Sequence, residues 1–185
     1  MNTNTNDSLG TFTGPAEVRI VRLLPGPIER VWDYLTDSEK RARWFCGGET
    51  EQKAGGTVKF AMLHKNLTDE TPPAQFEHVQ CAGVDFDGRV LRCEPPHVLA
   101  YTFGNADSVV TFELTPQGKQ VRLVLTHRTQ GADEQAEIGN YASGWHTHIS
   151  LLVAELEGAP RPLFWATHLK LRPLYEKLLA EAPKN

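Results

Sequence analysis

The chain has 185 residues and a formal net charge of −4, enough for one domain with a core of its own. Its Lys and Arg are scattered, which leaves no footprint for nucleic acid, and no run of about 18 apolar residues offers a membrane span. The three cysteines, Cys46, Cys81 and Cys93, form no Cys-x-x-Cys pair and fit reduced thiols in the cytoplasm better than disulfides or zinc.

Residues 1–14, MNTNTNDSLGTFTG, lack the charged start and apolar core of a signal peptide and read as a disordered polar tail. AEVRIVRLL (16–24) is β-rich, PGP breaks it, and Pro27 suits the first residue of a helix. In PIERVWDYL, Ile28, Val31, Trp32 and Leu35 fall at i, i+3, i+4 and i+7, which gives a short helix with one buried face. Thr36 and Glu39 are spaced as a capping box for a second short helix ending near Arg43–Phe45. Five strands follow at 56–63, 87–94, 97–103, 108–115 and 120–128, the last four joined by EPPH, GNAD and PQGK, which are hairpin connections. The polar segment 64–85 reads as a long loop with room for one extra strand around 77–81. Strands this close in sequence make an antiparallel meander, which buries one face and needs a cover.

The cover is the segment 138–158, IGNYASGWHTHISLLVAELEG. At about 100° per residue, Ile138, Tyr141, Trp145, Ile149, Leu152 and Leu156 form one apolar stripe. Asn140, Ser143, Thr147, Ser150, Ala154 and Glu157 lie opposite; Asp133 suits the N-cap and Gly158 the left-handed C′ position. His146 and His148, two residues apart, diverge by about 200° and cannot chelate one ion from a regular helix. His148 falls at the edge of the stripe, as a half-buried residue bonded to backbone or as a polar anchor in a cavity, and His146 falls towards solvent. No metal or other cofactor is expected.

Several segments in this order carry a family resemblance: VRLLPGPIERVWDYLTDSEKRARWF, GGTVKF, DGRVLRCEPPHVLAYTF, VTFELTPQGKQVRLVLTH and GWHTHISLLVAEL. Together they resemble the Activator of Hsp90 ATPase homologue 1-like branch of the START-like (SRPBCC) superfamily, the helix-grip fold. The resemblance implies an α+β domain over 15–158, its curved antiparallel sheet wrapped around a long C-terminal helix, with two short helices after the first strand. It also implies an apolar cavity, and relatives that bind lipids, sterols, polyketides or hormones, a few of them enzymes. The segment 76–86 is longer than in compact members. Residues 159–185 add an apolar strap at Leu163, Phe164 and Trp165 and a short final helix starting near Pro173.

The expected cavity wall comprises Trp44, Phe60, Tyr101, Phe103, Phe112, Tyr141, Trp145, His148 and Leu152, with Tyr101 and His148 as polar anchors among apolar groups. Asp85 and Asp87 beside a DG step read as turn residues, and His127 as a satisfied core histidine. No nucleophile motif such as G-x-S-x-G occurs, so no catalytic residue is assigned. Three functions follow as expectations: a cytosolic binding module for a small apolar or aromatic ligand, a stress-response co-chaperone acting on Hsp90, or a cyclase- or hydrolase-type enzyme. The strap, with few apolar partners on the polar back of the long helix, points to a homodimer interface.

Overall fold

The computed structural model describes residues 5–14, 16–130 and 132–182. Its elements are β1 (Thr11–Gly14), β2 (Glu17–Pro25), α1 (Ile28–Thr36), α2 (Ser38–Ala42), β3 (Thr57–Met62), α3 (Glu77–Cys81), β4 (Val84–Glu94), β5 (Val98–Phe103), β6 (Asn105–Gln117), β7 (Gln120–Arg128), α4 (Ala132–Glu157) and α5 (Phe164–Ala180). The strands form one sheet in the order β1-β2-β7-β6-β5-β4-β3, every neighbouring pair antiparallel. Period-two alternation sends Ile20, Val58, Phe60, Val90, Leu99, Tyr101, Val110, Phe112, Leu123 and Leu125 into the interior, all of them buried. Against them lies the α4 stripe, with Ile138, Trp145, Ile149, Leu152 and Leu156 buried and Tyr141 half-buried. Gly158 ends the helix at φ +66, where a side chain would strain the backbone.

The meander, the two short helices and the long helix match the expectation from the sequence, and several points differ. The stretch from Thr5 is ordered, and only Met1–Asn4 of the expected tail lie outside the described residues. β2 would otherwise be an edge strand with unpaired amides. β1 pairs with it, and the Asn6 side chain bonds both the Leu23 carbonyl (2.9 Å) and its N–H (2.8 Å). Asp37 caps α2, its carboxylate accepting from Lys40 N–H (2.9 Å), while Thr36 bonds back to the Trp32 carbonyl inside α1. The segment around 77–81 is the short helix α3, and Asp85 and Asp87 stand exposed within β4 rather than in a turn. Next to them Gly88 is obligatory, because a Cβ there would collide with the Thr102 carbonyl oxygen and approach the Phe60 ring at 2.9 Å. α4 already begins at Ala132, and the side chain of Asp133 lies outside the described residues.

The largest difference is at the C-terminus. Pro173 sits inside a single 17-residue helix, α5, that starts at Phe164. Proline removes one helical hydrogen bond, but Leu169, Lys170 and Pro173 all face solvent, where water can take the freed carbonyl. α5 lies along the back of α4. His146, expected in solvent, is therefore buried, as are Ser143, Thr147 and Leu151. The Tyr175 hydroxyl accepts from the Gly10 N–H (2.7 Å), which leaves its proton for His146 Nδ1 (2.9 Å). Phe164 and Trp165 are buried against their own domain and only Leu163 stays 62% exposed, which removes the premise of the homodimer interface.

Candidate functional site

The sheet and α4 close tightly at one end and part at the other. The C-terminal half of α4 is packed solid: Ile149, Leu152 and Leu156 are between 0% and 3% exposed. Towards its N-terminal half a cavity of about 440 Å³ opens between α4, the ends of β3, β4 and β5, the 64–83 segment and the start of α5. Aromatic rings make most of its wall. Phe103 contacts Trp145 (5.6 Å between ring centres), Phe45 (6.0 Å) and Phe86 (5.3 Å), and Phe45 lies 4.8 Å from Trp145. On the α4 side the floor falls at Gly144, where an added Cβ would meet nothing within 4 Å.

A lid covers the space. Short 3-10 turns at His64–Asn66 and Ala74–Phe76 lead into α3. Phe76 stacks on Trp165 (5.2 Å), and so does His64 (5.3 Å). Polar bonds hold lid to α5: Glu70 accepts from the backbone N–H of Trp165 (2.9 Å) and Ala166 (3.1 Å), an anion at a helix N-terminus. The Trp165 indole N–H donates to Gln80 (3.0 Å), whose own amide donates to the Thr68 carbonyl (3.0 Å).

Histidines lie both behind this space and on its wall, in different states. His127 is fully partnered: its Nδ1 accepts from the Trp145 indole (2.9 Å), so its proton sits on Nε2, facing the Ser108 hydroxyl (2.8 Å). Burial pushes its pKa down to about 3. His64, His148 and His168 form a second set on the cavity wall. His148 Nδ1 donates to the Trp44 carbonyl (2.9 Å). His64 Nδ1 is buried without a hydrogen-bond partner, and His168, although beside the Ser143 carbonyl, leaves both ring nitrogens unbonded. Burial, then mutual repulsion with His168, lowers His64 to about 4; burial holds His148 well below its ordinary value, and lowers His168 too. The three rings are neutral around pH 7. Among the described residues no group of three or more His, Cys, Asp or Glu is placed to hold a metal ion, and no helix is long and apolar enough to cross a membrane.

Of the wall residues expected from the sequence, Phe103, Tyr141, Trp145 and His148 line this cavity. Trp44, Phe60, Tyr101, Phe112 and Leu152 lie behind it in the packed core. Trp44 bonds the Tyr34 carbonyl through its indole (2.7 Å) and meets Phe112 edge-on (6.4 Å), while its neighbour Phe45 turns to the cavity. Phe60 is screened by Phe86 stacked on it at 4.8 Å, with the buried Arg41 guanidinium over its ring at 5.5 Å. Tyr101 is a core residue whose burial raises its pKa, not an anchor. Sequence reasoning missed Phe45, His64, Phe76, Phe86, Phe164, Trp165 and His168. One signal was available: Phe76, Phe164 and Trp165 are large apolar residues in segments with no other core to join.

A curved antiparallel sheet closed on a long helix, with an apolar space held between them, is the helix-grip arrangement of SRPBCC, START-like proteins. Residues 25–157 match the model of the family described as Activator of Hsp90 ATPase homolog 1-like protein, and the chain belongs to that family. Among solved structures, a Bordetella parapertussis protein studied by solution NMR is 43% identical; the match covers 88% of this chain and 85% of that one at a TM-score of 0.76. CalU16 from Micromonospora echinospora, at 22% identity, covers 88% of each chain with a TM-score of 0.64. An Enterococcus faecalis protein at 15% identity covers 98% of this chain and 95% of that one with a TM-score of 0.71. The last two share the fold alone. Among curated proteins none matches.

Proposed function

We propose that the protein is a binding module for a small apolar or aromatic molecule, held in the cavity between the sheet and α4. The observation that carries this reading is the cavity itself. Close-packed interiors leave few voids larger than a water molecule, whereas sites for small ligands run from about 300 to 1,000 Å³. At about 440 Å³ this space is of the second kind. Gly144 supports the reading independently: glycine inside a helix costs about 0.5–1 kcal/mol relative to alanine, and here its missing side chain is what keeps the floor open. The wall includes imidazoles and Asn140 but, among the described residues, no carboxylate, serine or cysteine. The wall therefore offers no Ser–His or Cys–His nucleophile pair. The unpaired cysteines Cys46, Cys81 and Cys93 suit a reducing cytoplasm.

The test uses 2-methylnaphthalene as a probe, followed by tryptophan fluorescence, since Trp145 and Trp165 both face the cavity. Saturable 1:1 quenching is expected, and Gly144→Leu, whose Cβ would meet nothing within 4 Å and whose longer side chain would fill the floor, should abolish it while the protein still melts cooperatively. Absence of saturable binding, or binding indifferent to Gly144→Leu, contradicts the assignment. Native mass spectrometry of freshly purified protein should show a retained small molecule.

A further inference from the structure

Apart from Asn140 and the exposed His78, the cavity is apolar except at one end, where three imidazoles converge from three separate elements: His64 from the lid, His148 from α4 and His168 from α5. His64 lies 5.3 Å from His148 between ring centres, and the two share Phe164 as an edge-on neighbour at 4.8 and 4.9 Å. His64 and His168 are 6% and 4% exposed, yet three of their four ring nitrogens have no hydrogen-bond partner. Buried polar atoms are almost always paired, and those left unpaired require an explanation. These belong to residues that line one space, as does the unpaired Asn140 Oδ1; the other unpaired atoms among the described residues, Arg22 Nε and Nη2, lie outside it.

The protonation states fix what is missing. A carbonyl can only accept, so His148 Nδ1 carries the proton that bonds the Trp44 oxygen. In the neutral ring Nε2 is then an acceptor. With neither ring nitrogen hydrogen-bonded, the neutral His168 ring offers one acceptor and one donor. A neutral ring always leaves one nitrogen of His64 as an acceptor. All three rings therefore present a lone pair, and His64 and His168 an N–H as well, so what the end of the cavity lacks is a group that both accepts and donates, as a hydroxyl does.

We propose that the natural ligand is a flat aromatic molecule bearing an acidic O–H, of the phenol, enol or carboxylic acid class, with its hydroxyl seated against the His64, His148 and His168 rings. This rests on the binding function proposed above and adds the polar half of the ligand to it. The ring system lies among Phe45, Phe86, Phe103 and Trp145, and the O–H donates to an imidazole nitrogen. His64 and His168 are thus specificity-determining residues, because a ligand of the same size without the donor would leave their nitrogens unpaired in the complex.

Two probes of equal size separate the possibilities, 2-naphthol and 2-methylnaphthalene, titrated at neutral pH where a phenolic O–H keeps its proton. A purely apolar cavity prefers the methyl compound, because the hydroxyl loses its hydration for nothing. The expected result reverses that order, with 2-naphthol binding the wild-type protein at least about tenfold more tightly. His64→Phe/His168→Phe, which keeps ring shape, should bind 2-methylnaphthalene at least as well as wild type and lose the preference for 2-naphthol. Should the double variant fail to melt cooperatively, each single variant carries the same test. Equal or tighter binding of 2-methylnaphthalene by wild type overturns the donor assignment and leaves the binding function standing. A naphthol preference that persists in the variants overturns the role of these histidines. If neither probe binds wild type, the binding function fails, and this inference with it.

Discussion

The two halves of α4 meet the same sheet in opposite ways. From Ile149 to Leu156 the helix is sealed, with Ile149, Leu151 and Leu152 wholly buried. From Asn140 to His148 the same helix walls a cavity through Asn140, Tyr141, Gly144, Trp145 and His148. One half supplies the burial that stabilises the fold; the other gives up packing to hold a space open. A single helix can do both because the sealed half and α5 along its back fix its register, while the buried Ile138, Ala142 and Trp145 anchor the open half beside the cavity.

The contrast can be broken most sharply at Leu152. Truncating a fully buried leucine leaves a hole in a packed region and costs about 2–5 kcal/mol. Leu152→Ala should therefore lower the midpoint of urea unfolding strongly; a near-neutral effect would mean that the sealed half is not sealed.

Acid is the second lever. His127 and His146 fall to about 3 and His64 to about 4, first because burial disfavours their charged forms. The unfolded chain, with histidines near 6.5, takes up protons the folded chain refuses. Stability is therefore intact above pH 6.5 and is lost as pH falls from there towards 3–4, at about 1.4 kcal/mol per pH unit for each such group. Urea unfolding at pH 7.5, 6.5 and 5.5 should show this loss before most carboxylates titrate. A flat profile down to pH 5.5 would contradict the burial of these rings.

Smaller effects are expected on the open side. Glu70→Gln keeps the shape of the lid contact but removes the charge facing the N-terminus of α5. A loss of about 0.5–2 kcal/mol is expected, accompanied by faster hydrogen exchange at Trp165 and Ala166. Unchanged exchange would show that the lid is held by its aromatic stacking alone. Gly144→Ala should run the other way, raising stability by up to about 1 kcal/mol while weakening binding of 2-methylnaphthalene. A destabilising effect would show that Gly144 is tightly packed rather than open.

The same division governs what could be read from the sequence. The sealed half was legible, because its stripe at Ile149, Leu152 and Leu156 repeats at helical spacing and the β5, β6 and β7 segments are joined by hairpin turns. The cavity was legible only where it shares those patterned elements, at Phe103, Tyr141, Trp145 and His148. Trp44 and Phe45 are adjacent, and no periodicity past Ala42 tells which of them turns inward to the core and which to the space. Pro173 hid the true length of α5, since helix interiors rarely tolerate proline. With α5 read short, the burial of His146 and Thr147 on the back of α4 had no cause, and His168 had no place. The lid residues His64 and Phe76 come from a polar segment whose 3-10 turns and five-residue helix are too short to leave a periodic signal.

A nitrogen–proton correlation spectrum recorded during titration with 2-methylnaphthalene tests the central claim most directly. The account predicts shifts concentrated at the backbone amides of Gly104 and Gly144 and at the Trp145 and Trp165 indoles, with Ile149–Leu156 nearly silent. Shifts spread over the surface, or concentrated along the sealed half of α4, would contradict it.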